Sequence, residues 1–78
     1  MSSRAFILVE TEVGKIREVA EALRNLGGMV SVDMVTGPYD VIAVVDAPDM
    51  TAMGAVVTEK VHTISGVVRT VTCVAVGG

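Results

Sequence analysis

The chain contains four extended apolar runs and two segments with helical spacing. The first run covers residues 5–9 and the last covers residues 67–76, with Arg69, Thr70 and Thr72 in its first half. Two further runs, residues 29–35 and 41–45, flank a short stretch rich in turn residues. Apolar runs of this length bounded by turn signals are typical of β-strands. The pattern therefore predicts the order strand, helix, strand, strand, helix, strand.

The stretch of residues 36–40 separates the two central runs and predicts a sharp reversal of the chain. Within it, Pro38 fixes φ and lacks an N–H, while Gly37 can adopt backbone angles that other residues avoid. The residue before a proline is disfavoured in helix, so neither run can continue through this point. We expect that whatever the protein binds lies close to this turn.

Two segments carry apolar residues at three- and four-residue steps, which is the spacing of an amphipathic helix. The first spans about residues 14–26, and Gly27-Gly28 is a typical left-handed stop at its end. The second spans about residues 50–62, with Asp49 as its N-cap and Gly54 inside it. The expected core positions are Ile16, Val19, Ala20, Leu23 and Leu26 in the first helix, and Met50, Met53, Val57, Val61 and Ile64 in the second.

The order of the strands follows from the connections between them. Right-handed crossovers place both helices on one face of a sheet. The ferredoxin-like βαββαβ fold, an α+β arrangement with four antiparallel strands in the order 4-1-3-2, satisfies this condition. Strands one and three lack alternation and are expected to be central and buried on both faces. Strands two and four carry polar interruptions and are expected at the edges, with Val30, Val32 and Met34 facing one way.

Helices on one face leave the opposite face of two aliphatic strands uncovered. Monomers rarely expose more than a few hundred Å² of contiguous apolar surface. A second copy packed there would bury roughly 800 Å² per partner. At about 25 cal/mol/Å² the gross gain exceeds the ~4–15 kcal/mol cost of association. The sequence therefore predicts an obligate dimer held by sheet-on-sheet contact.

Composition narrows the function classes. The 78 residues predict one small domain, residues 1–78, of which 51% are apolar. The lone cysteine supplies no disulfide, and one histidine without a Cys/His cluster argues against a metal, so no cofactor is expected. The net charge of −3 argues against a nucleic-acid surface. No apolar run approaches the ~20 residues of a membrane helix, and a cytoplasmic protein is expected.

Few residues are candidates for chemistry. Cys73 lies in an apolar strand and is expected to be a buried structural residue. His62 lies in the last turn of a helix, without the partner spacing that nucleophilic catalysis needs. Asp40 has two interpretations: a turn acid that accepts backbone N–H groups, or an acid at an oligomer seam that holds a ligand ammonium group. In the second case backbone N–H groups around Gly37 would hold a carboxylate, and the pair fits an amino acid.

Several motifs, taken in order, are similar to those of one known family. They are residues 5–9, Thr11-Glu12-x-Gly14-Lys15, the turn of residues 35–40, Ala47-Pro48-Asp49, and Ile64-Ser65-Gly66-Val67 with Thr70 and Thr72. Together they resemble the effector-binding (RAM) domain of the Lrp/AsnC, or feast/famine, transcription regulators over nearly the whole chain. The resemblance implies sheet-paired dimers assembled into rings, commonly octamers. It also implies small effectors, usually amino acids, bound between dimers near the turn.

The resemblance also implies ligand-binding positions and a role. Gly37 and Asp40 match effector-response positions most directly. Full-length members carry an N-terminal helix-turn-helix domain, whereas only four residues precede the first strand here. We therefore expect the stand-alone form, without DNA binding of its own, acting by ligand sensing or by assembly with a full-length regulator. The candidate ligand-binding residues are Met34, Thr36, Gly37, Pro38, Tyr39 and Asp40.

A small dimeric ferredoxin-like enzyme, of the monooxygenase or isomerase type, is the alternative function, because fold does not determine function. Its site would need polar groups between sheet and helices, where the chain offers little beyond Tyr39, His62 and Cys73. A third interpretation is a structural assembly partner with an empty site. We favour the binding module that catalyses no reaction.

Overall fold

The computed structural model describes residues 2–76. The four strands form one antiparallel sheet in the order second, third, first, fourth, which confirms the predicted βαββαβ fold with strand order 4-1-3-2. A π-helical segment, Val56–Val61, extends the second helix. The elements are β1 (Ser3–Thr11), α1 (Ile16–Arg24), β2 (Met29–Met34), β3 (Val41–Ala47), α2 (Met50–Ala55) and β4 (Val67–Val74).

Both helices pack on one side of the sheet, which we call the covered face, and the core lies between them. Every second residue of the central strands points into it. On the helix side, Leu23 of α1, Met53 of α2 and Val61 of the π-helical segment are buried against these strands. The strand residues of this core in β1 and β3 are Ala5, Ile7, Val9, Val41, Ala43, Val45 and Ala47.

The other side of the sheet, which we call the open face, is apolar at its centre and is not covered by helices of residues 2–76. At the β2 edge, the polar residues Ser31 and Asp33 lie on the same side. Phe6 is 40% exposed and Val71 is 39% exposed. In a single chain the central strands are therefore fully buried on one face only, and the predicted burial of the second face depends on a partner. Strand register places six apolar side chains on the open face: Phe6, Leu8, Ile42, Val44, Val71 and Cys73.

Three predictions of side-chain position are wrong. Cys73 is exposed because it pairs with Phe6 and shares the open face. Met50 is 54% exposed because it occupies the first position of α2, ahead of the buried Met53. Val30 does not share a face with Val32, because the register of β2 shifts between Met29 and Ser31 and displaces the residue between them.

The first helix is shorter than the apolar spacing predicts, whereas the second has nearly the predicted length but changes its hydrogen-bond period. α1 begins at Ile16, after a turn in which Gly14 has a φ of 82°. α2 begins as predicted, since Asp49 Oδ1 accepts a hydrogen bond of 2.8 Å from the N–H of Ala52. Beyond α2 the hydrogen bonds change to the wider π-helical period, and the N–H of His62 donates to the carbonyl of Val57, five residues back. Apolar spacing carries no signal for that change of period.

The Gly27-Gly28 pair lies between α1 and β2, and its backbone is hydrogen-bonded to β3. The N–H of Asp46 donates to the carbonyl of Gly28 over 2.9 Å. Gly28 has a φ of 86°, and a Cβ placed there would lie 2.7 Å from the carbonyl oxygen of Asp46. Glycine is thus required at position 28 by a close approach between two backbones as well as by its dihedral angle.

Candidate functional site

The turn between β2 and β3 forms one wall of a cavity at an end of the open face. The volume of this cavity, which we call the turn cavity, is about 410 Å³. Two of its lining residues, Leu8 and Ile42, belong to the open face, so the cavity and the apolar face are continuous. The lining residues are Leu8, Val35, Thr36, Gly37, Pro38, Tyr39 and Ile42.

One backbone hydrogen bond closes the turn, and a second one ties it to β1. The N–H of Val35 donates to the carbonyl of Asp40 over 2.8 Å, and the N–H of Asp40 donates to the carbonyl of Val9 over 2.9 Å. Gly37 has a φ of 146°, which side-chain-bearing residues rarely adopt, yet a Cβ there would meet no atom within 4 Å. The glycine therefore serves the conformation of the turn and leaves the space beside it open.

The carboxylate of Asp40 binds the end of β1. Its Oδ2 accepts hydrogen bonds from the N–H of Thr11 over 2.8 Å and from the Thr11 hydroxyl over 3.2 Å. These bonds fit the interpretation of Asp40 as a turn acid. An ammonium-binding role would have to use the other carboxylate oxygen, and it stays a prediction.

The structure brings together four of the six candidate residues, Thr36, Gly37, Pro38 and Tyr39, in the wall of the turn cavity. Met34 does not line the cavity, because it pairs with the buried Val41 and lies on the side of the covered face at the sheet edge. Sequence reasoning missed Val35, Leu8 and Ile42 as lining residues. The last two are direct register partners, so the predicted pairing of strands one and three was the signal that could have found them.

The side chains of Tyr39, Arg69 and Glu10 contact one another in a row across the end of the sheet. The guanidinium carbon of Arg69 lies 5.7 Å from the centroid of the Tyr39 ring, which is within the range of cation–π contacts. Arg69 Nε is also 3.4 Å from Glu10 Oε1, and the two residues are opposite each other in the β1–β4 register. Side chains of the turn, β1 and β4 are thus linked above the open face.

A second charged pair borders the opposite end of the open face. Arg4 Nε lies 2.7 Å from Asp46 Oδ1, and Arg4 Nη2 lies 3.0 Å from Asp46 Oδ2. This bidentate hydrogen bond, with the charge of the guanidinium, holds the pKa of Asp46 below its ordinary value and raises the pKa of Arg4. The apolar residues of the open face therefore lie between two ion pairs.

The residues that an enzyme would use are not brought together. His62 Nε2 lies 2.6 Å from Thr70 Oγ1, and Thr70 pairs with Val9 on the covered face, whereas Cys73 lies on the open face. Within residues 2–76, no three His, Cys, Asp or Glu side chains are grouped so as to hold a metal ion. None of the helices described has the length and apolar character needed to cross a membrane.

Comparison with known proteins places this geometry in a family. Residues 4–77 match the family model of the Lrp/AsnC ligand binding domain. Over 78 residues, the chain is 32% identical to an uncharacterized HTH-type transcriptional regulator of Pyrococcus furiosus, covering 96% of this chain and 52% of that protein. The chain thus spans about half the length of that relative.

Solved structures share the fold. The crystal structure of TTHA0845 from Thermus thermophilus has a TM-score of 0.93 and 33% identity, covering 97% of this chain and 95% of that one. A transcriptional regulator of Neisseria meningitidis, solved as its L-Met complex, shares the fold with a TM-score of 0.85 and 23% identity, covering 96% of this chain and 50% of that one. By the match of its residues 4–77, the chain belongs to the Lrp/AsnC family and carries that family's ligand-binding domain.

Proposed function

We propose that this domain binds an amino acid in the turn cavity and catalyses no reaction. The observation that carries the proposal is the cavity of about 410 Å³ formed by the turn against the open face. Small-molecule sites are typically concave and mostly apolar, with a few polar groups that orient the ligand. The lining of the turn cavity fits this description: Leu8 and Ile42 are apolar, Thr36 carries a hydroxyl, and Gly37 has no side chain to cover its backbone polar groups.

The same proposal includes a second copy of the chain packed on the open face. An apolar centre with a polar rim is the usual anatomy of a protein interface. Here the centre is the open face, and the ion pairs Arg4–Asp46 and Glu10–Arg69 form its two ends. Because the turn cavity is continuous with this face, a second copy would close part of it and would couple ligand binding to assembly. Assembly of such dimers into octameric rings is proposed from the family resemblance.

We further propose a cytoplasmic role in transcription regulation, through assembly with full-length Lrp/AsnC regulators and without direct contact to DNA. Two observations support this role: the relatives are HTH-type regulators, and the net charge of −3 disfavours binding to phosphates. Co-expression of the chain with a full-length regulator, followed by native mass spectrometry, tests it. Mixed oligomers are expected, and two separate homo-oligomers would contradict the proposal.

A thermal-shift panel of the common amino acids, with oligomer mass followed in parallel, tests ligand binding. L-Methionine is the first probe, because L-Met is the ligand in the complex of the Neisseria regulator. We expect at least one amino acid to raise the melting temperature and to change the oligomer mass. Absence of both effects across the whole panel would contradict ligand sensing.

Asp40→Asn separates the two interpretations of that residue. The amide oxygen can still accept the N–H of Thr11, so the turn keeps its bond while the negative charge is removed. If Asp40 holds the ligand ammonium group, the variant stays folded and loses the thermal shift. Glu21→Gln, which removes one negative charge from an exposed position of α1, is the matched control and should keep the shift. A shift that survives Asp40→Asn would assign Asp40 to the turn alone.

A further inference from the structure

Tyr39 lines the turn cavity, and its ring is also contacted by a residue from outside the turn. The guanidinium of Arg69 lies over the ring, with its carbon 5.7 Å from the centroid. Arg69 comes from β4, and β1 separates that strand from β3, the strand that Tyr39 precedes. A residue two strands away from the turn therefore contacts the wall of the cavity.

Glu10 fixes the position of Arg69. Arg69 Nε lies 3.4 Å from Glu10 Oε1 across the β1–β4 register. A planar guanidinium can bind a carboxylate through its edge while its face lies on an aromatic ring, which a lysine ammonium group cannot do. The next residue of β1, Thr11, donates both of its hydrogen bonds to Asp40. Two consecutive residues of β1 thus tie the neighbouring turn residues Tyr39 and Asp40 to the end of the sheet.

Stability of the fold does not account for this arrangement. The side chains of Arg69 and Glu10 are 63% and 41% exposed. Ion pairs this exposed contribute little to the free energy of unfolding, because water and salt screen them. The contact that Arg69 makes beyond this pair is with the Tyr39 ring, over which its guanidinium lies.

We propose that Arg69 is a positioning residue for the turn cavity: by holding the Tyr39 ring it sets the size of the ligand side chain that the cavity accepts. The size claim rests on the proposed function, whereas the positioning of the ring does not. Tyr39 is the single tyrosine of the chain, which has no tryptophan, so intrinsic fluorescence reports this ring alone.

Acrylamide quenching of that fluorescence tests the positioning. Arg69→Ala is expected to raise the quenching constant, because loss of an exposed cation–π contact lowers the ratio of held to released ring about two- to fivefold. Arg69→Lys should restore only part of the protection, and Glu10→Gln should raise quenching less than Arg69→Ala does. Arg17→Ala removes the same charge from an exposed position of α1 and serves as the control. Equal quenching in wild type and Arg69→Ala would overturn the proposal.

Titration with L-alanine, L-methionine and L-phenylalanine tests the size claim. Arg69→Ala is expected to change the ratio of affinities between these probes, whereas a variant that merely loosened the fold would weaken all three alike. An unchanged ratio alongside raised quenching would overturn the size claim and leave the positioning intact. If wild type binds none of the common amino acids, the proposed function and the size claim both fail, and quenching still decides whether Arg69 positions the ring.

Discussion

The two faces of the sheet come from the same strands and the same kinds of residue, yet a single chain buries only one of them. In β1, Ile7 is fully buried and its neighbour Phe6 is 40% exposed. In β3, the buried Val45 follows Val44, which is half-buried. A strand whose exposure alternates while its polarity does not is suited to burial on both sides. The sequence of such a strand therefore predicts that both of its faces are covered in the assembled protein, although one of them is exposed in the single chain.

The largest expected effect concerns how much each face of the sheet contributes to the free energy of unfolding. Ile7→Ala should lower the free energy of unfolding by about 2–5 kcal/mol, because it opens a cavity in the covered face. Leu8→Ala, one residue along and on the open face, should affect folding less and weaken assembly instead. Chemical denaturation at several protein concentrations compares the two variants, because a loss of assembly depends on concentration and a loss within the folded chain does not. An equal or larger loss for Leu8→Ala would show that the covered face is not the dominant core.

The next effect concerns assembly through the open face. Val44→Lys places a charge at the centre of that face, where a second copy would bury it without a partner, at a cost of several kcal/mol. We expect the oligomer to dissociate. Val13→Lys is the control, because Val13 is 103% exposed on the loop after β1. Light scattering after size exclusion measures both, and an intact oligomer of Val44→Lys would contradict the proposed interface.

A smaller effect concerns the helical cover alone. Gly54→Ala should stabilise the fold by about 1 kcal/mol, because alanine favours helix and the added Cβ meets no atom within 4 Å. Gly28→Ala is the opposing comparison, since its Cβ would lie 2.7 Å from the carbonyl oxygen of Asp46, and it should destabilise. Thermal unfolding measures both variants. A destabilised Gly54→Ala would indicate that another chain packs against α2.

The smallest effect concerns the border of the open face. Because Arg4 lowers the pKa of Asp46 below its ordinary 3.8, this carboxylate contributes stability above that value. The contribution is lost as the pH falls below about 3.8 and through the lowered pKa. Unfolding midpoints of wild type and Asp46→Asn should therefore differ slightly near neutral pH and converge in acid. A difference between the two midpoints that is constant with pH would show that the pair does not act through this charge.

Local chemistry made much of the fold predictable. Asp49 has the side chain and spacing of an N-cap, and the backbone preferences of Gly37 and Pro38 predict a turn. The exposure of Cys73 and the displacement of Val30 were not predictable, because both depend on the register between strands. The sequence of one strand does not indicate which position of the neighbouring strand each residue will pair with.

The residues of the candidate site also differ in whether local sequence could predict them. Thr36 to Tyr39 were identified as one contiguous motif, and they do line one cavity. Leu8, Ile42 and Arg69 reach the cavity or its wall only because β1, β3 and β4 lie side by side. Their contributions are tertiary, so only the predicted pairing of the strands, and not the spacing along the chain, could have identified them.

Sedimentation equilibrium of the wild-type chain at micromolar concentrations tests most directly the proposal that a second copy covers the open face. Twice the chain mass of 8.1 kDa, or a multiple of that dimer, is the expected result. A single species of 8.1 kDa across the concentration range would mean that Phe6, Val44 and Val71 face water, and it would contradict the account.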